Sequence, residues 1–211
     1  MTKIIPIIIY FAFLLLFYWM VERDPEYKVL SKRDAFFEKR DQIEIFFYSI
    51  VWCILILLQP KAVSYLCAIT LPYLTITEIS DRITKMVYVA PYYIFMIVFF
   101  ILDFCGIVPI ARYGILFIFV FTLVMEKLHL VGGGDSGMIA VIGIIAYMKY
   151  QTIDLALLSM CFMILIASVI QYATAIKKHN MDGPFKMKDP MAFGPALTFA
   201  TLIMLILETI L

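Results

Sequence analysis

The chain predicts an all-α fold, a polytopic bundle of about eight transmembrane helices. Its 211 residues are 64% hydrophobic, with a mean hydropathy of +0.98. Only 16% are charged, against roughly 25% in soluble domains. The charges are also clustered, with long apolar stretches between them. A net charge of +1 offers no field to draw in nucleic acid, so the lipid bilayer is the expected surroundings and no nucleic-acid partner is expected.

A bilayer core about 30 Å thick needs about 20 apolar helical residues. The stretches that qualify, or nearly so, cover about 3–21, 44–59, 62–80, 87–105, 110–128, 136–150, 152–176 and 192–211. The first follows Lys3 as a signal peptide would. It ends in Tyr18-Trp19-Met20-Val21-Glu22-Arg23, however, with no small-residue cleavage site, and reads as a retained span with an aromatic interfacial anchor. Pro60, Pro109 and Pro190 fall between stretches, as helix breakers should. Pro72 and Pro91 fall within them, where neighbouring helices can take up the freed carbonyl. The sixth stretch is short. Residues 1–61 then form a two-span hairpin with a charged loop, and 62–211 a six-span core.

Glu22 to Asp41 is the one sizeable polar segment. Ser31-Lys32-Arg33-Asp34 has the pattern that opens a short helix, carrying Phe36 and Phe37 along the membrane surface. A solvated connector with balanced charges is the other reading.

Orientation follows from lysine and arginine. With the N-terminus outside, the cytoplasmic side holds Arg23, Lys28, Lys32, Arg33, Lys39, Arg40, Arg82, Lys85, Lys127, Lys177, Lys178, Lys186 and Lys188. The other side holds Lys3, Lys61, Arg112 and Lys149. A bias of 13 against 4 puts Asp81, at the end of the third stretch, and Asp135, before the sixth, on the same cytoplasmic face.

Carboxylates at the rim of a membrane segment are expensive and read as functional by default. Two of them close enough to share a proton make an aspartic protease site, because like charges about 3 Å apart cannot both ionise. One serves as base on a water while its protonated partner polarises the scissile carbonyl, with no metal or other cofactor needed. Gly132, Gly133 and Gly134 before Asp135 break the helix and let backbone or substrate come close. The competing reading is a glycine loop with Asp135 as an ordinary helix N-cap, and Asp81 beside Arg82 as a solvated pair.

Other chemistry is weaker. Cys53, Cys67, Cys105 and Cys161 lie in apolar runs, with no Cys-x-x-Cys pair for zinc, and read as small buried hydrophobes. Asp103 and Asp154 fall on the far side, while Asp182 and Asp189 lie in a polar loop. His129 and His179 flank spans as interfacial residues. Glu78 is a plausible third participant beside Asp81.

These motifs resemble those of the type IV prepilin peptidase and preflagellin peptidase family of intramembrane aspartyl proteases. Gly132-Gly133-Gly134-Asp135 matches the family's Gly-x-Gly-Asp. Asp81-Arg82-Ile83-Thr84-Lys85-Met86-Val87 is similar to its first catalytic motif. Pro190-Met191-Ala192-Phe193-Gly194-Pro195-Ala196-Leu197 resembles the motif opening its last span. The likeness covers about residues 62–211. It implies catalysis by Asp81 and Asp135, with Lys85, Phe193, Gly194 and Pro195 as substrate-positioning or core-motif positions.

The implied substrates are prepilin-like or pseudopilin membrane proteins, cut between a short basic leader and an apolar helix at the inner-membrane face. Gly137 stands where the family often carries lysine, and Val87-Tyr88-Val89 where Ile-Pro-Asn is usual. The first loop lacks the paired cysteines of many bacterial members, which implies peptidase activity without N-methylation. Presenilins and signal peptide peptidases share Gly-x-Gly-Asp and Pro-Ala-Leu, matched by Pro195-Ala196-Leu197, but Ser80 stands where their tyrosine precedes the first aspartate. From another class altogether, a transporter could use the same aspartates to bind a cation or relay protons.

Overall fold

Buried stripes spaced three and four residues apart set the inward face of the first two long apolar helices. The computed structural model describes residues 4–84, 86–87, 90–106, 112–128, 133–182 and 193–210. They form α1 (Ile4–Arg23), α2 (Pro25–Ser31), α3 (Lys39–Leu58), α4 (Lys61–Thr84), α5 (Ala90–Phe104), α6 (Arg112–Lys127), α7 (Gly133–Tyr150), α8 (Ile153–Asp182) and α9 (Gly194–Ile210). No strand occurs among the described residues. In α1, α3, α4 and residues 153–174 of α8, length and apolar character suffice to cross a membrane. Shorter apolar stretches occupy Tyr92–Ile101 and Gly194–Leu207.

The helix at the centre is α4. Every residue from Leu66 to Asp81 is buried, on all faces of the helix. It packs against α1, α3, α5, α7 and α9, while α8 closes against α7 and α9. By contrast, α1 is apolar all round yet buries one stripe alone, Pro6, Tyr10, Leu14, Phe17 and Val21. Leu15, on its other side, is 67% exposed, as a residue facing lipid tails would be. The Tyr10 hydroxyl donates to Ser49 Oγ of α3 at 3.1 Å, and Ser49 donates on to Ile45 O at 2.8 Å.

The charged loop departs from the helix expected at Ser31. The helix lies earlier, over Pro25–Ser31, and Ser31 is its last residue. Asp24 caps it by accepting from the N–H groups of Glu26 and Tyr27, and Pro25 sits at the first helical position, where a missing N–H costs nothing. Lys32 then stops it in the left-handed region, at φ 56°.

Phe36 and Phe37 are buried without being helical. Phe37 stacks on Tyr18 at 4.6 Å, and Phe36 meets Tyr27. Their backbone N–H groups donate to the Glu22 carboxylate at 3.3 and 3.2 Å, which supplies the partners a helix would have given. The segment is therefore a folded strap rather than a solvated connector.

Helix boundaries shift for physical reasons. The second span was expected from about residue 44, but α3 begins at Lys39, because Asp41 Oδ2 accepts from the Glu38 N–H at 3.1 Å and caps the polar first turn. Pro91 lies in the first turn of α5, not in a span interior, so it frees no carbonyl. Pro72 does lie inside α4. Pro60 separates α3 from α4 as expected, while Pro109 and Pro190 lie outside the described residues.

A candidate carboxylate site at one end of the bundle

Because α4 continues to Thr84, Asp81 sits within its last turn rather than after it. It is 4% exposed. From α9, the Gly194 N–H donates to Asp81 Oδ2 at 2.8 Å, across 113 residues of chain. This is the first backbone N–H of α9, a group with no partner inside its own helix, so the carboxylate both caps α9 and is oriented by it.

Glycine at position 194 leaves room for the carboxylate to approach. A Cβ there would stand 3.0 Å from Asp81 Oδ2, 3.4 Å from Asp81 Cβ and 3.5 Å from Glu78 Cα. Phe193 precedes the helix, partly buried, and Pro195 occupies its first turn. Thr198 Oγ1 reaches Leu74 O at 3.5 Å, so α9 runs along α4 from that end.

Asp135 is the third residue of α7. The glycines reach into the helix, which begins at Gly133, so Asp135 lies in the first turn and not at an N-cap. Gly134 is needed for close approach, since a Cβ there would fall 2.3 Å from Val87 Cβ, just past the end of α4. Deeper in, Gly137 faces Tyr73, whose hydroxyl would lie 3.3 Å from a Cβ at 137, and Tyr92 at 3.5 Å. Those two rings fill the space a longer side chain at 137 would take. Asp135 stands within electrostatic range of the Tyr73 hydroxyl. The end of α4 and the starts of α7 and α9 thus share one end of the bundle. Gly132, Lys85, His129 and Asp189 lie outside the described residues, as do the side chains of His179 and Asp182.

On its other side, Asp81 adjoins a clamped ionic network. Arg82 holds Glu44 of α3 with two 2.7 Å contacts, Nη1 to Oε1 and Nη2 to Oε2. It also reaches Asp41 at 3.4 Å and Glu78 at 3.8 Å. Arg33, from the strap, meets the same Asp41 at 2.8 Å. Arg82 is therefore no solvated neighbour of Asp81; it ties α4 to α3, whose Asp41 in turn holds Arg33 of the strap. Glu78, expected as a third participant, is 2% exposed, with Oε2 making no hydrogen bond among the described residues.

No known protein family, curated protein or solved structure matches the chain.

Two acidic residues near the site escaped the sequence reading. Glu126, in the last turn of α6, accepts from Ser136 Oγ at 2.7 Å, one residue after Asp135. Glu44 is the second. Both sit at the ends of apolar runs, where a solvated carboxylate looks the same in sequence. The signal that could have found Glu44 is its spacing from Asp41, one turn earlier on the face that meets Arg82.

Among the described residues, no group of three or more His, Cys, Asp or Glu side chains is placed to hold a metal ion. Cys67 is buried as expected and Cys53 half-buried, but Cys105, in the turn after α5, and Cys161, on α8, are exposed and are not core residues.

Proposed function

We propose that this chain is a multi-pass membrane aspartic endopeptidase, with Asp81 and Asp135 as its catalytic pair. The reading takes α1 and α3–α9 as eight spans, with the paired helix ends at the cytoplasmic face of the inner membrane. The observation that carries it is the 2.8 Å hydrogen bond from Gly194 to Asp81 Oδ2. That bond joins two motifs singled out separately in the sequence, and the third, at Gly134-Asp135, starts a helix packed on the same α4.

In the proposed reaction one carboxylate takes a proton from a water, whose oxygen attacks the peptide carbonyl carbon. The partner carboxyl hydrogen-bonds to the developing oxyanion. The C–N bond then breaks as the nitrogen receives a proton. The Gly194 N–H occupies one lone pair of Asp81 Oδ2, which fixes the rotation of the carboxyl. Substrates would be prepilin-like or pseudopilin precursors, cut between a short basic leader and the apolar helix that follows.

Co-expression of the full chain with such a precursor tests this. Leader loss on a gel should occur with the wild type and disappear with Asp81→Asn and with Asp135→Asn, while Asp103→Asn and Asp154→Asn cut normally. Near-normal cleavage by either of the first two variants would remove the pair. Orientation is tested separately: Asp34→Cys should be shielded from an impermeant thiol reagent outside intact cells.

One observation favours a second reading, proton or cation binding without cleavage. Glu78 is a buried carboxylate, one turn from Asp81, with an oxygen unmatched among the described residues. Proton uptake into vesicles that is lost in Glu78→Gln, with no precursor cut, would select it.

A further inference from the structure

Four hydroxyls along α4 are satisfied locally. Thr70, Thr75, Ser80 and Thr84 each donate to a carbonyl three or four residues back, at 2.8–3.0 Å. This is the usual fate of a hydroxyl in an apolar helix. Two groups break the pattern on one stripe. Tyr73 and Thr77 are both 0% exposed, and neither Tyr73 Oη nor Thr77 Oγ1 makes a hydrogen bond among the described residues. The two hydroxyls adjoin each other but not in hydrogen-bonding geometry. Ser64 Oγ shares this condition, but at the opposite end of α4.

Tyr73, Thr77 and Asp81 are spaced i, i+4, i+8, so they share a face, with the two hydroxyls about one and two turns below the carboxylate. That face meets α7 at Gly137, where the absent side chain leaves backbone beside the Tyr73 hydroxyl, and Asp135 is within electrostatic range. Buried polar groups in a folded chain are nearly always paired, and in a membrane interior no bulk water offers itself as partner. Two adjacent exceptions in line with the candidate site are suited to a ligand that brings its own donors and acceptors.

We propose that the Tyr73 and Thr77 hydroxyls bind the backbone of the peptide substrate on the C-terminal side of the cut. The proposal rests on the peptidase reading above and adds the sub-site. A helical segment must open before its peptide bond can be attacked, and opening strands backbone N–H and C=O groups in an apolar setting. The Tyr73 hydroxyl donates to one such carbonyl and the Thr77 hydroxyl accepts from one such N–H.

The geometry gives the register. Eight helical residues rise about 12 Å, and extended chain covers about 3.3 Å per residue, so the stripe spans three to four substrate residues. These are the first of the apolar segment, since the basic leader lies toward the aqueous end. Tyr92, from the first turn of α5, stands 6.4 Å ring to ring from Tyr73.

The test is steady-state cleavage of a prepilin-like peptide by the full chain in detergent, with Tyr73→Phe, Thr77→Val, Thr77→Ser and Asp81→Asn. Tyr73→Phe and Thr77→Val should each raise KM about five-fold with kcat within a factor of two, as loss of one neutral hydrogen bond gives. Thr77→Ser, which keeps the hydroxyl, should restore the wild-type KM.

A substrate series with single ester-for-amide replacements adds a readout that a merely structural role would not move. One ester within the four residues after the cut should weaken binding by wild type and not by Thr77→Val. If wild type cuts, Asp81→Asn does not, and KM is unchanged in both hydroxyl variants, the sub-site is wrong while the peptidase reading stands. Variants that lose kcat at constant KM also overturn it. If wild type and Asp81→Asn are alike in cutting nothing, both readings fall together.

Discussion

The two sides of the α4 end handle polar groups in opposite ways. Toward α3, Arg82 meets Glu44, Asp41 and Glu78, and Asp41 also serves Arg33 and the start of α3. Toward α9, Asp81 accepts the Gly194 backbone N–H, and the Tyr73 and Thr77 hydroxyls below it find no bond among the described residues. Dense pairing of long side chains in fixed geometry is what holds helices together. Sparse pairing of buried groups lowers stability and persists where something else needs them. The first side reads as structure and the second as function, a division that mutants can sharpen or break.

The largest effect is expected on the sparse side. Asp81→Asn and Asp135→Asn should each lower cleavage by roughly 10²–10⁴-fold, the range for a lost acid or base, with little change in thermal stability. Equal losses of folding and cleavage would erase the contrast. Next in size are Gly194→Ala and Gly134→Ala. The new methyl at 194 pushes on Asp81 Oδ2 from 3.0 Å, and that at 134 collides with Val87 at 2.3 Å. Misplacing a reacting group by an ångström costs on the order of 10² in rate, so both should cut slowly, and Gly194→Ala should remain folded. Wild-type rates in Gly194→Ala would detach α9 from the chemistry.

On the dense side the signs reverse. Arg82→Gln should lower unfolding free energy by about 1.5–3 kcal/mol, the range for hydrogen bonds to charged groups, while cleavage per folded molecule persists. Arg82→Lys should rescue it poorly, because one ammonium cannot match both oxygens of Glu44. A stable but inactive Arg82→Gln protein would move the arginine to the functional side. Smallest is Thr75→Val, which removes the hydroxyl that accepts the 2.9 Å bond from the Trp52 indole N–H while nearly keeping side-chain volume, so the cost should be about 0.6 kcal/mol, typical of interhelical bonds in membranes.

The all-helical class was legible, with four helices long and apolar enough to cross a membrane, because apolar runs interrupted by charge and proline carry that information directly. The ends were less so. Asp24-Pro25 is a readable helix start, but Ser31-Lys32-Arg33-Asp34 offers similar capping chemistry, and only the Glu22 contacts to Phe36 and Phe37 decide between them. Asp81 and Asp135 stood out as carboxylates at the edges of apolar runs, and they lie in the last turn of α4 and the first turn of α7. The partners of Arg82 did not, because Glu44 and Asp41 lie far from it in sequence. Tyr73 and Thr77 passed as ordinary members of a buried helix. What distinguishes them is the bond they fail to make, and sequence carries no trace of that.

The contact between Gly194 and Asp81 also has a bearing on timing during synthesis. A ribosome adding about 5–20 residues per second reaches Gly194 roughly 6–23 s after it places Asp81. Throughout that interval α4 can enter the bilayer, yet its aspartate lacks the backbone donor that fixes its rotamer. An emerging chain, with other nascent membrane segments close by in the translocon, thus carries an unfinished site. For the proposed peptidase, a product truncated before α9 should therefore not cleave its precursor.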